Sequence, residues 1–193
     1  MLINAGVLLA AEQPTILVMG DSLSAAYNIP TSSGWVSLLE KRLNEQSNWQ
    51  LVNASISGET TQGGLTRLPD LLRQHQPDLV LLELGANDGL RGLPPSLISN
   101  NLEKMVKLSE LSGAKVMLIG ILLPPNYGPA YLAQFENIYP NLAKEHQLPL
   151  VPFLLEGVAD KPDLMQEDEL HPTAAAQPKI LDTVWLELKN LLN

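Results

Sequence analysis

The residue types in this chain that can do acyl chemistry fall in two short stretches: Gly20-Asp21-Ser22-Leu23-Ser24 and Asp168-Glu169-Leu170-His171-Pro172. A serine that attacks a carbonyl needs a base to take its proton and donors to receive the oxyanion that develops. His171 suits the base, because imidazole titrates near neutrality and because this histidine falls in a loop. The other two histidines, His75 and His146, stand at the ends of expected helices and serve the helix dipole there. Asp168, three residues before His171, can accept from Nδ1–H and so turn Nε2 toward Ser22, and Pro172 restricts His171 to an extended backbone. For the oxyanion the candidates are the amides of Ser22 and Gly58 and the side-chain amide of Asn87. Gly58 qualifies because glycine lets backbone approach a substrate closely. Each residue also has a plainer reading. Ser22 can cap the next helix, Gly58 can supply a positive φ, Asn87-Asp88-Gly89 can be a turn, and Asp168 can be a solvated loop acid. Those readings together require a central serine, an oxyanion set and an Asp-x-x-His to coincide by accident.

Positioning such residues takes a rigid frame, and the apolar periodicity supplies one. Thr15 to Met19 is a β-branched and aliphatic run that breaks at Gly20, the pattern of a buried strand with Ser22 at its carboxyl end. A short helix from Leu23 to Tyr27, a loop around Pro30 and an amphipathic helix from Trp35 to Gln46 are expected next. Gln50 to Ala54 reads as a second strand, ending at Ser55-Ile56-Ser57-Gly58. Thr60 or Thr61 then caps a helix that stops near His75 and Pro77. Leu79 to Leu84 has the continuous apolar character of a central parallel strand and ends at Gly85-Ala86-Asn87. A helix over Leu97 to Leu111, a strand over Lys115 to Ile121 and a helix over Tyr131 to His146 follow. Leu150 to Leu154 is an edge strand, because Pro152 cannot donate to a central ladder. Ala174 to Leu192 closes the chain as a helix. Strands and helices alternating five times predict an α/β fold: a single-domain, three-layer α/β/α arrangement around a five-stranded parallel sheet. Right-handed crossovers place the loops after the first three strands on one edge.

Composition narrows the chemistry. The chain has 193 residues, enough for one domain with a core of its own. It carries 12 basic against 21 acidic residues, a net charge of −9, which argues against nucleic acid as a partner. With no cysteine, disulfides, thiolate metal sites and a cysteine nucleophile are excluded. Only three histidines make a multi-histidine metal centre hard to assemble. Acyl transfer by a serine and a histidine needs no metal and no organic cofactor, and a monomer is the expectation, although composition does not fix the oligomeric state. Leu2 to Ala11 is mostly apolar but too short to span a bilayer, which takes about 20 residues. Two readings of it stand: a remnant of an export signal, with Ala10 and Ala11 near a cleavage point but no basic flank, or an arm packed on the domain. The domain proper is expected over 12–193.

Beside the oxyanion set, Asp88, Gly89, Leu90 and Leu93, with Leu122, Leu123, Pro124 and Tyr127, are candidates to line a substrate groove, although several could equally belong to the core. Gly89, Gly92 and the adjacent prolines make the segment from Asn87 to Pro95 a candidate gate. Two other classes of function are compatible with some of these residues. A metal-dependent phosphoesterase would draw on Asp21, Asn87, Asp88, Asp168 and His171, and a non-catalytic binding domain would use the same fold without chemistry.

Four blocks, Gly20 to Ser24, Asn53 to Thr60, Gly85 to Gly89 and Asp168 to Pro172, resemble those of the SGNH hydrolases, also called GDSL esterases and lipases. The likeness runs from about Thr15 to Leu192. It is closest to the bacterial group of multifunctional acyl-CoA thioesterases, lysophospholipases and arylesterases, with Asn126-Tyr127-Gly128 and Ile138-Tyr139-Pro140 adding to it. The resemblance implies a flavodoxin-like fold, Ser22 as nucleophile, and the Ser22 amide, Gly58 and Asn87 as oxyanion donors. It implies His171 with Asp168 as base and orienter, and small ester, thioester or lysophospholipid substrates. That group is commonly exported to the periplasm, which favours the signal-remnant reading. Two positions depart from it: Ala26 and Ala86 stand where relatives carry Gly, and neither is expected to affect more than local packing.

Overall fold

The structure is a computed structural model and describes residues 13–192, so the stretch Leu2 to Ala11 lies outside the described residues. Five parallel strands form one sheet: β1 (Thr15–Gly20), β2 (Gln50–Asn53), β3 (Leu79–Glu83), β4 (Lys115–Ile119) and β5 (Leu150–Val151). Their order across the sheet is β2-β1-β3-β4-β5. The chain leaves β1 toward one edge and returns to β3 on the other side. The point where the order reverses therefore lies between β1 and β3, where open α/β sheets build their sites.

Helices cover both faces, which is why the central strands are apolar throughout. Ile16 to Met19 in β1 and Leu79 to Leu82 in β3 are all buried. Helix α1 (Trp35–Gln46) packs with α7 (Gln177–Leu188) on one face. On the other, α2 (Thr61–His75) packs with α4 (Pro95–Leu111), and α4 with α6 (Ile138–His146). The first turn of α1 is tied to α7 by the buried Gln177 side chain, which accepts from the Trp35 amide at 2.9 Å. Thr60 is the cap of α2, its hydroxyl accepting from the Gly63 amide at 3.2 Å.

Several elements differ from the sequence expectation, each for a local reason. Leu23 to Tyr27 is a series of turns, because Ala26 has φ +59°, which a right-handed helix cannot contain. The Ala26 departure from glycine thus bears on backbone conformation rather than on packing. Asn87 lies on a short helix, α3 (Ala86–Leu90), rather than in a turn. The helix expected over Tyr131 to His146 is two, α5 (Pro129–Glu136) and α6, parted at Asn137. Pro140 has no N–H to give the Glu136 carbonyl one turn back, which weakens the helix at this point, although α2 runs through its own Pro69. Strand β5 stops at Val151, before Pro152. The last helix starts only at Gln177, after a 3₁₀ turn over Ala174–Ala176.

Candidate active site

Strand β1 delivers Ser22 to the carboxyl edge of the sheet through a tight exit. Gly20 pairs with Glu83 in β3, and any Cβ on it would lie 2.7 Å from the Glu83 carboxylate and 2.7 Å from the Ser24 side chain. Only glycine fits there. Beyond it, Asp21 turns inward, its Oδ1 accepting from the Leu23 amide at 3.0 Å and its Oδ2 from Asn87 Nδ2 at 3.0 Å. Ser22 is left facing the cleft.

His171 approaches from the loop before α7. Its Nε2 lies 2.8 Å from Ser22 Oγ, and its Nδ1 2.7 Å from Asp168 Oδ2. An ionised carboxylate can only accept, so Nδ1 carries the hydrogen and Nε2 is left to accept from the serine hydroxyl. Asp168 Oδ1 also accepts from the Leu170 and His171 amides, both at 3.0 Å. Partial burial would raise the Asp168 carboxyl, but these amides and the His171 ring outweigh it and hold the group below the ordinary carboxylate value. The Tyr27 ring lies against the imidazole, with centroids 4.4 Å apart.

The oxyanion candidates other than Ser22 follow β2 and β3 in the chain. Asn87 sits in the first turn of α3, and one of its amide hydrogens is taken by Asp21. The other is free to face the cleft that Asn87 and Ser22 both line. Among the described residues, neither the Ser22 nor the Gly58 amide donates to a protein acceptor. Gly58 has φ +79°, with nothing within 4 Å of where a Cβ would stand. Its glycine is therefore required by conformation, not by crowding within the chain. The turn that carries it is clamped from both sides. Glu59 accepts from Arg67 Nε at 2.6 Å, and Arg91 Nη2 donates to the Gly58 carbonyl at 3.2 Å.

Ser22, Asn87 and His171 open into a cleft of about 210 Å³ whose wall includes Leu90, Leu122, Leu123, Pro124, Leu155 and Leu170. The cleft continues into a groove of about 540 Å³ floored by Phe153, Leu155, Met165 and the same Leu122 to Pro124 wall, with Ala159 farther along. Of the expected groove residues, Leu90, Leu122, Leu123 and Pro124 thus line it. Four others do not. Asp88 is fully buried, and both its oxygens accept from Thr61, Oδ2 from the amide at 2.8 Å and Oδ1 from the hydroxyl at 2.6 Å. Gly89 is packed under Leu123 and Phe135. Leu93 and Tyr127 lie outside the wall, Leu93 within the segment from Asn87 to Pro95 and Tyr127 in the support that holds that segment. There the Tyr127 hydroxyl donates to the Leu90 carbonyl at 2.9 Å and the Tyr131 hydroxyl to the Leu93 carbonyl at 2.7 Å. The candidate gate is pinned by these bonds. Leu155, Leu170, Phe153 and Met165 escaped sequence reasoning. Only Leu170, beside His171, carried a positional signal.

Asp21 and Asp88 spend their oxygens on protein donors. The ligand set that a metal-dependent phosphoesterase would require is therefore not assembled around His171. Two fully buried carboxyls lie behind the serine. Burial pushes Asp21 up to about 6 and Glu83 well above its ordinary value, the latter helped by the neighbouring Asp21 charge. Glu83 Oε2 accepts from Ser24 Oγ at 2.7 Å and from the Asp21 amide at 3.2 Å, while Oε1 has no partner.

A parallel α/β sheet with a serine, histidine and aspartate in hydrogen-bonded sequence at its switch point defines the serine-hydrolase class of arrangement. Within that class, the model of the GDSL-like lipase/acylhydrolase family matches residues 18–177, and the chain belongs to that family. It is 51% identical over 183 residues to an esterase, TesA, of Pseudomonas aeruginosa, covering 94% of this chain and 91% of the relative. It is 53% identical over 182 residues to an arylesterase of Vibrio mimicus, covering 93% and 91%. Among solved structures, the crystal structure of TesA superposes with a TM-score of 0.89 at 52% identity, covering 92% of this chain and 99% of that one.

Proposed function

We propose that the protein is a serine esterase that hydrolyses carboxylic esters, acyl thioesters and lysophospholipids through an acyl-enzyme on Ser22. The observation that carries the reading is the unbroken chain from Ser22 Oγ through His171 to Asp168, at 2.8 and 2.7 Å. Ser22 attacks the acyl carbonyl while His171 takes its proton. The tetrahedral oxyanion is received by the Ser22 and Gly58 amides and Asn87 Nδ2. His171 returns the proton to the departing alcohol or thiol, then activates a water that releases the acid. The apolar wall from Leu122 to Pro124, with Leu90, Leu155 and Leu170, supports an acyl chain as the group held in the cleft. Relatives bearing the names esterase, arylesterase and thioesterase 1/protease 1/lysophospholipase L1 support the breadth of substrate.

The enzyme works as a monomer, with 12–193 as its catalytic domain and no metal or organic cofactor. Among the described residues no helix is long and apolar enough to cross a membrane. The apolar stretch Leu2 to Ala11 supports export to the periplasm, to be checked by cell fractionation. The deciding experiment is incubation with a phosphonate or sulfonyl fluoride, with peptide mass mapping, beside p-nitrophenyl ester hydrolysis with and without chelator. Stoichiometric labelling at Ser22 and loss of a chelator-resistant activity are expected. Absence of label, or activity that chelator abolishes, overturns the reading.

A further inference from the structure

His171 has to be held 2.8 Å from Ser22 by a stretch of chain with little regular structure. Between β5 and the 3₁₀ turn at Ala174 the described elements are one 3₁₀ turn, Pro162–Leu164, and a single bridge pairing Met165 with Pro172. The Asp168 to His171 hydrogen bonds are internal to this loop. They shape it without fixing where it sits relative to the nucleophile.

Besides the His171 ring itself, which meets Ser22 and the Tyr27 ring, one side chain joins the two by hydrogen bonds. Gln166 is the residue whose amide N–H closes the neck of the loop on the His171 carbonyl, at 2.7 Å. Its side chain crosses to the other loop with both amide hydrogens and the amide oxygen engaged. Nε2 donates to the Pro172 carbonyl at 3.0 Å and to the Tyr27 carbonyl at 3.1 Å, and Oε1 accepts from Asn28 Nδ2 at 3.0 Å. Two carbonyls can only accept, so the orientation of the amide is determined. Tyr27 and Asn28 belong to the turn that Ser22 opens, since the Tyr27 amide donates to the Ser22 carbonyl at 3.2 Å. Asn28 is held there at φ +57°. One bond of the Gln166 amide thus grips the residue after His171, and two grip the turn of Ser22.

We propose that Gln166 is a positioning residue that sets the Ser22 to His171 distance by stapling the base-bearing loop to the nucleophile turn. The inference rests on the reading of Ser22, His171 and Asp168 as the reacting set. A misplacement of about 1 Å at reacting atoms costs on the order of 100-fold in rate. Loss of the staple is therefore expected to lower turnover by about 10- to 100-fold, with no contact to the acyl groove to alter KM.

The test uses Gln166→Ala, Gln166→Met, which keeps length but has no amide, and Asn28→Gly, which keeps the positive φ and removes one partner. In each, kcat and KM on p-nitrophenyl butyrate, the second-order rate of phosphonylation at Ser22, and the low-field proton resonance of His171 Nδ1–H are measured. The two Gln166 variants should lose kcat and phosphonylation rate together by at least tenfold, with KM within twofold and the low-field resonance retained. Asn28→Gly, at an exposed site, should lose about threefold in phosphonylation rate through one of the three bonds. Rates within twofold of the parent in all three variants overturn the proposal. So does a low-field resonance that vanishes along with the activity, because Gln166 would then be maintaining the loop's own fold. A parent protein that takes no label at Ser22 would instead sink the esterase reading, before any variant is compared.

Discussion

Replacing Glu83 by glutamine should make the protein more stable as the pH rises, although it removes a charged residue type from the centre of the molecule. Glu83 is fully buried, with Oε2 accepting from Ser24 and from the Asp21 amide. Burial and the nearby Asp21 raise it well above its ordinary 4.5. The folded protein thus keeps a proton that the unfolded chain releases above 4.5. The stability attached to this group is fully present below that value and is lost as the pH rises toward the folded pKa. With both acceptor bonds retained by the glutamine oxygen, the variant lacks this loss. Its advantage should grow with pH above 4.5, by at most about 1.4 kcal/mol per pH unit for as long as the buried carboxyl keeps its proton. Asp21, which burial pushes up to about 6, titrates in both proteins, so only the part of its titration that is linked to Glu83 enters the comparison. Urea denaturation of parent and E83Q at half-unit steps from pH 4.5 to 8 reads the difference directly. Two parallel stability curves would refute the reasoning, since they would mean that Glu83 is ionised in the folded state. Glu83→Leu is the control. It orphans the Ser24 hydroxyl and the Asp21 amide, and should be about 2 to 4 kcal/mol less stable than E83Q at every pH.

Other substitutions test other parts of the site. Ala26→Gly should stabilise the fold by about 0.5 to 1 kcal/mol, because release of a left-handed alanine outweighs the greater chain entropy of glycine. A rise in Tm of about 1 to 4 °C by calorimetry would show it. Asn87→Ala should lower kcat by about 10²- to 10³-fold on p-nitrophenyl butyrate, with a smaller change in KM. Asp88→Ala leaves the amide and hydroxyl of Thr61 without their buried acceptor, so a loss of about 3 kcal/mol in urea unfolding is expected. Ala159→Trp should fill the groove beyond the cleft and cut kcat/KM for a decanoyl ester at least tenfold relative to a butyryl ester, since each methylene denied its site forfeits about 0.8 kcal/mol. An unchanged ratio would place the acyl chain elsewhere.

Those outcomes depend on contacts of quite different legibility. The alternation of apolar strands with amphipathic helices was readable because it is a local periodicity, and it led directly to a parallel sheet with Ser22, Gly58 and Asn87 near one edge. The meeting of His171 with Ser22, 149 positions apart, was readable from residue type, since a loop histidine beside an aspartate has few other uses. The split of the helix at Asn137 was available in principle from Pro140, whose missing N–H acts locally. Asp88 and Glu83 were not legible in this way. In sequence, Asp88 is one acid in a turn-like stretch and Glu83 is one acid in an apolar run, and nothing nearby reports that Thr61 or Ser24 waits beside them.

What this chain determines by itself is the set of chemical types and the local conformations that bring them to the end of a strand or the tip of a loop. Only the tertiary structure decided which polar groups face the cleft and which are consumed in holding it. It turned Asp88 away from substrate and onto Thr61, left Leu155 and Leu170 in the wall, and laid the Gln166 amide across the two loops. The physical reason is that burial converts a hydrogen bond from an exchange with water into an obligation. Which donor meets that obligation depends on chain segments brought together by packing, and no spacing along the sequence encodes it.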